Sequence, residues 1–112
     1  MTATLASFSI ENTLSTTAEA LVTAASGEKR FVGKATFTNT NTTTARVVTI
    51  WRLASGGSPI STNYLRKKTI QPEKTWDCTE LVGHVVQNGG TIQANQDAGT
   101  DVYADLSGVL ED

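Results

Sequence analysis

Cys78 and His84 are the only thiol and the only imidazole in the chain, so any nucleophile with an imidazole base would have to be built from this pair. Their spacing in sequence brings nothing together, and a cysteine on the apolar parity of a strand ordinarily behaves as a small buried hydrophobe. The chain has no Gly-x-Ser-x-Gly elbow and no second histidine for a zinc site. "DAGTD", Asp97 to Asp101, spaces two carboxylates around Gly99 but lacks the further oxygens and the bidentate acid of a calcium loop, and reads as a solvated turn. Asn41-Thr42-Thr43 matches a glycosylation sequon, yet "MTATLASFSI" shows no export signal that would deliver it to a glycosylating compartment. No catalytic residue, metal or cofactor is expected.

The elements that would carry such residues are strands. Nineteen of the 112 residues are Thr, whose β-branch suits a pleated, half-wet surface. The first residues, Thr2 to Ile10, read as an edge strand or an extended N-terminal arm within residues 1–12. A strand follows from about Ala18 to Ala24. "KRFVGKATFTNTN" places Phe31, Gly33, Ala35 and Phe37 on one parity, which predicts a core strand, and Asn39 to Thr44 is a turn whose side chains bond nearby backbone. Ala45 to Ala54 returns as a strand, and Ser55 to Thr62, with two glycines and a proline, is a surface loop. Leu65 and Ile70 are inward anchors of the next strand, and "TDVYADLSGVL" alternates Val102, Ala104 and Leu106 inward. About eight short strands without an amphipathic helix indicate one all-β domain: a sandwich, a jelly roll or a small barrel.

Nine basic and eleven acidic residues, net charge −2, provide no field that would draw in nucleic acid or an anionic membrane. A single cysteine fits synthesis in a reducing cytoplasm or a fold that needs no disulfide staples. Local features are sharper. In the strand "RVVTIWRL", Val47, Trp51 and Leu53 share one parity, which is expected to face the core; Val48 and Ile50 then point outward. Such a patch is covered by the chain's own arm, meets a partner or a second copy, or is tolerated in water. Arg66, Lys67 and Lys68 form the densest basic cluster, beside Tyr64. They read as charges that discourage edge-to-edge pairing, or as a polar rim around an aromatic anchor. The candidate partner interface is Val48, Ile50, Tyr64, Arg66, Lys67 and Lys68, with the arm from Thr2 to Ile10.

"VVTIWRLASGGSP", "NYLRKKTIQPEKTWDCTELVGHVVQNGGTIQA" and a final strand ending "LSGVLE" together resemble the small β-sandwich virion proteins of tailed phages. The shared features are an aromatic strand leading to a Gly-Gly loop, Asn63 to Leu65, Ile70 to Thr75, Glu80 to Gly83, and the turn and strand Gly89 to Ala94. They span about residues 30–110 and mark turns and core positions. Within that group the chain is most similar to the capsid decoration, or staple, proteins of short-tailed phages of the epsilon-fifteen type. The resemblance implies a jelly-roll-like β-sandwich of about eight antiparallel strands, made in the host cytoplasm and carried on the outer surface of the capsid. It also implies a homodimer at two-fold positions that clamps the major capsid protein. Related small proteins of the neck, tail or fibres share these features. A carbohydrate-binding module is the rival from another class and needs Trp51 or Trp76 facing solvent; a hydrolase needs Cys78 and His84 in contact.

Overall fold

The computed structural model describes residues 2–112, which form nine strands and one short 3₁₀ turn. In chain order the strands are β1 (Ala3–Thr13), β2 (Glu19–Thr23), β3 (Lys29–Asn39), β4 (Arg46–Leu53) and β5 (Arg66–Ile70). They continue as β6 (Thr75–Asp77), the 3₁₀ turn (Thr79–Leu81), β7 (Val85–Gln87), β8 (Thr91–Gln96) and β9 (Val102–Glu111). Sheet I runs β1-β9-β3-β6, with β7 also on β3; sheet II runs β2-β8-β4-β5. All pairs are antiparallel and nested: β1 with β9, β2 with β8, β3 with β6 and β7, β4 with β5. A two-stranded ribbon rolled over itself has this order, so the fold is an all-β sandwich with jelly-roll winding. Residues 3–10 are not a crossing arm but belong to edge strand β1, paired with β9.

Alternation decides most of the core. On β9, Val102, Ala104 and Leu106 are buried, and on β8 Ile92, Ala94 and Gln96 are fully so. They meet Phe37, Val48, Ile50 and Leu81 between the sheets. Burying a side chain such as Phe37 or Ile50 contributes about 2–3 kcal/mol of transfer free energy. The alternation on β3 breaks once: Val32 and Ala35 are both buried, because β3 shifts register between Val32 and Lys34. Gly33 is the inserted residue, and Phe31, expected inside with Phe37, is left half-buried on the outer parity. A Cβ at the opposing Gly108 would overlap the Phe31 carbonyl oxygen, so the ladder at this level requires glycine.

The Thr/Asn run after β3 carries the chain from sheet I to sheet II. Asn39, fully buried, donates through Nδ2 to the carbonyls of Thr44 and Ile70, each at 3.0 Å, and accepts the Asn41 amide on Oδ1. Asn41 Oδ1 in turn accepts the Thr43 and Thr44 amides. Backbone groups leaving one sheet are thereby satisfied before the chain enters the next.

The face of β4 is the reverse of the expectation. Val48 and Ile50 are fully buried in the core, opposite Gln96 and Ala94 of β8. Val47, Thr49, Trp51 and Leu53 lie on the outer face of sheet II. The inward parity therefore reads Arg46, Val48, Ile50, Arg52, and both arginines are spent at the rims. Arg46 Nη2 lies 2.7 Å from Asp101 Oδ2, and Arg52 donates twice to the Val85 carbonyl of sheet I. The outer face is covered by the chain's own loop, residues 54–65. Trp51, only 6% exposed, donates through Nε1 to the Ile60 carbonyl at 2.8 Å, and Gly57 packs over Leu53. Asn63 holds this loop in shape by accepting the Ile60 amide and donating to the Ser58 carbonyl.

Candidate functional site

Cys78 leaves β6 at the mouth of a notch bordered by Lys34, Asp77 and Val82. The side chain is almost fully buried, and burial pushes the thiol pKa up to about 11. His84 sits beyond the 3₁₀ turn, where its backbone carbonyl accepts the Val32 amide. The raised pKa keeps the thiol protonated at neutral pH, and among the described residues no hydrogen bond joins Cys78 to His84. The "DAGTD" carboxylates are committed to the fold: Asp97 Oδ1 accepts the Val47 amide, and Asp101 Oδ2 takes Arg46 and Asn41. The hydrogen bond from Arg46 holds the Asp101 carboxyl below the usual carboxylate range, assisted by Asn41. Among the described residues no cluster of three or more His, Cys, Asp or Glu is placed to hold a metal ion.

What remains are faces and edges. The structure separates the six interface candidates. Val48 and Ile50 are core residues and cannot meet a partner while the chain is folded. Tyr64 is 44% exposed, at the end of the covering loop, and Lys67 Nζ stands 5.3 Å from its ring centroid. This cation–π contact is worth about 0.5–1 kcal/mol at an exposed site. Arg66 pairs with Ile50 and Lys68 with Val48, so both lie on the inward parity, whereas Lys67, opposite Thr49, lies on the outer one. Arg66 reaches Glu80 on the 3₁₀ turn at 2.7 Å and ties sheet II to sheet I. The three cations thus do not form one rim. They put charge on both faces of β5, a free edge of sheet II.

Tyr64 and Lys67 border a groove of about 400 Å³ on the outer face of sheet II, floored by Thr49 and Trp51 and flanked by Asn95 and Ile60. Trp51 presents little surface to it, since the loop covers the ring. Leu65, expected inside, is 39% exposed beside Tyr64, because β5 begins only at Arg66. Sequence reasoning passed over two contributors. Asn63 shapes the loop, and its signal was an Asn at the end of a Gly/Ser/Pro segment. The other is the outer face of sheet I, where Leu5, Val109, Phe31 and Val85 line up across four strands. That row was invisible without the register. No protein-family model, curated protein or solved structure matches the chain.

Proposed function

We propose that the protein is a non-enzymatic virion component, a capsid decoration protein that binds the outside of the assembled major capsid protein shell as a homodimer at two-fold positions. The observation that carries this reading is the combination of jelly-roll winding with the turn and core motifs across residues 30–110 that resemble phage virion proteins. The contact surface offered to the shell is the outer face of sheet II around Tyr64 and Lys67; Val48 and Ile50 drop out because they are buried, and Arg66 and Lys68 lie on the other parity of edge strand β5. A protein that binds the assembled lattice and not free subunits stabilises the lattice by mass action, and repetition over symmetric sites makes modest affinity per copy sufficient.

The test is the copy number of this chain relative to the major capsid protein in purified virions. A simple ratio repeated over the whole shell is expected. About a dozen copies or fewer would assign the chain to a neck, tail or fibre, and absence from virions would sink the reading altogether. The second reading, a carbohydrate-binding module, loses the platform expected of it, because Trp51 is buried and Trp76 packs against Phe37; what speaks for it is exposed Tyr64 bordering a groove that also carries Thr49 and Asn95. A glycan array separates the two, since a decoration protein is expected to show no saturable glycan binding.

A further inference from the structure

The free edge of β1 differs from the other strand edges. Thr2 and Asp112 exchange both backbone hydrogen bonds, at 3.0 and 3.1 Å, which sets the phase of the β1–β9 ladder. With Ala3 opposite Glu111 and Leu5 opposite Val109, the antiparallel alternation directs the N–H and C=O groups of Ala3, Leu5 and Ser7 away from β9. No other strand pairs with β1 among the described residues. From Thr2 to Ile10 there is no charged residue and no proline, whereas β5 carries three cations. Register shifts between Ser7 and Ser9 and between Ser9 and Asn12, with Glu11 at φ 46°, bend the rest of β1 and leave residues 3–7 as the regular segment. Leu5 is 85% exposed and begins the apolar row that continues through Val109, Phe31 and Val85.

We propose that two copies of the chain pair through this edge, antiparallel about a two-fold axis centred on Leu5, so that sheet I runs unbroken across the dimer. The occupant is a second copy because the segment matches itself. The axis sets Leu5 against its twin and Ala3 against the partner's Ser7, a large residue flanked by small ones, with no charge brought against like charge. Each of these three outward-facing residues exchanges two backbone bonds, about six in all. The two apolar rows then join into one. An edge contact of five residues buries less than the roughly 1,200 Å² of a standard interface, so the dimer is weak in solution. This pairing supplies the contact for the homodimer proposed above and rests on that reading only for its place on a shell.

Sedimentation equilibrium of the full chain from about 10 µM to about 1 mM tests the association; the mass should rise toward that of a dimer over this range. Leu5→Lys should hold the chain monomeric throughout, and circular dichroism should show it folded, since the side chain it replaces is exposed. The register is tested by cross-linking. In a hydrogen-bonded antiparallel pair the two Cα atoms lie about 5.5 Å apart, within disulfide reach. Leu5→Cys should therefore form a disulfide dimer under mild oxidation at least tenfold faster than Ile10→Cys, which is also exposed but lies past the first register shift. Buried Cys78 needs no replacement. A monomer at the highest concentration, a dimer unaffected by Leu5→Lys, or equal cross-linking at positions 5 and 10 would each overturn the pairing. None of these results bears on the copy number in virions, which tests decoration by itself.

Discussion

Edge strand β5 of sheet II and edge strand β1 of sheet I meet the same hazard, a row of unpaired backbone groups, in opposite ways. β5 puts Arg66, Lys67 and Lys68 in succession, so cations stand on both faces and an incoming strand would have to desolvate them. β1 has no charge before Glu11 and shortens its regular edge with bulges instead. Charge closes an edge to all strands, whereas a short uncharged edge stays open to one that fits. The two sheets of one small protein can therefore differ in what they admit although their cores are continuous.

The largest expected effect comes from breaking the ladder that supports β1. Gly108→Ala forces a Cβ onto the Phe31 carbonyl and should cost about 3 kcal/mol in urea denaturation, with loss of the β1 side of sheet I. Asn39→Ala comes next, at about 2 kcal/mol, because it strips the partners from the Thr44 and Ile70 carbonyls where the chain crosses between sheets. It should loosen the β5 side first, seen as faster amide exchange around Ile70.

A smaller effect is expected at the Arg46–Asp101 pair. The Asp101 carboxyl titrates below its unfolded value, so its contribution to stability is present above the usual carboxylate range and is lost as pH falls through the lowered pKa. Asp101→Asn should therefore be less stable than the native chain near neutral pH and should converge with it in acid; equal stability at both ends would mean the ion pair contributes nothing. The least effect on stability, no more than about 1 kcal/mol and mostly the lost Lys67–Tyr64 contact, is expected from replacing both Lys67 and Lys68 with Thr. That variant strips two of the three charges from β5. Sedimentation should then show association that Leu5→Lys does not suppress, and unchanged behaviour would mean that charge is not what protects this edge.

Much of the fold was legible because buried strands of a two-layer protein write a period of two into the sequence. Val102, Ala104 and Leu106 sit inside as expected, β2 falls within the stretch from Ala18 to Ala24, and the Thr/Asn run is a turn stabilised by its own side chains. The bulge at Gly33 was not legible, because an inserted residue reverses every later parity and depends on Gly108 in a strand about 75 residues away. The candidate site was less legible still. Tyr64 and Lys67 emerge together on one surface, but Arg66 is drawn off to Glu80, and the free edge of β1 becomes apparent only from the hydrogen-bond phase against β9.

The sequence by itself determined the all-β class, most strand positions and the sites of the turns, since these follow from local alternation and from residues that satisfy their own backbone. Only the tertiary structure decided which side of β4 is inside. The parity with Val47, Trp51 and Leu53 is the more apolar, and the other holds Arg46 and Arg52 about Val48 and Ile50. A pattern of period two distinguishes the faces without saying what lies over each. Asp101 and the Val85 carbonyl take the arginines at the two rims, and the loop that bonds Trp51 shields the apolar outer face. Each of those partners comes from a distant part of the chain or from a loop without periodicity, so burial there was set by packing and not by local pattern.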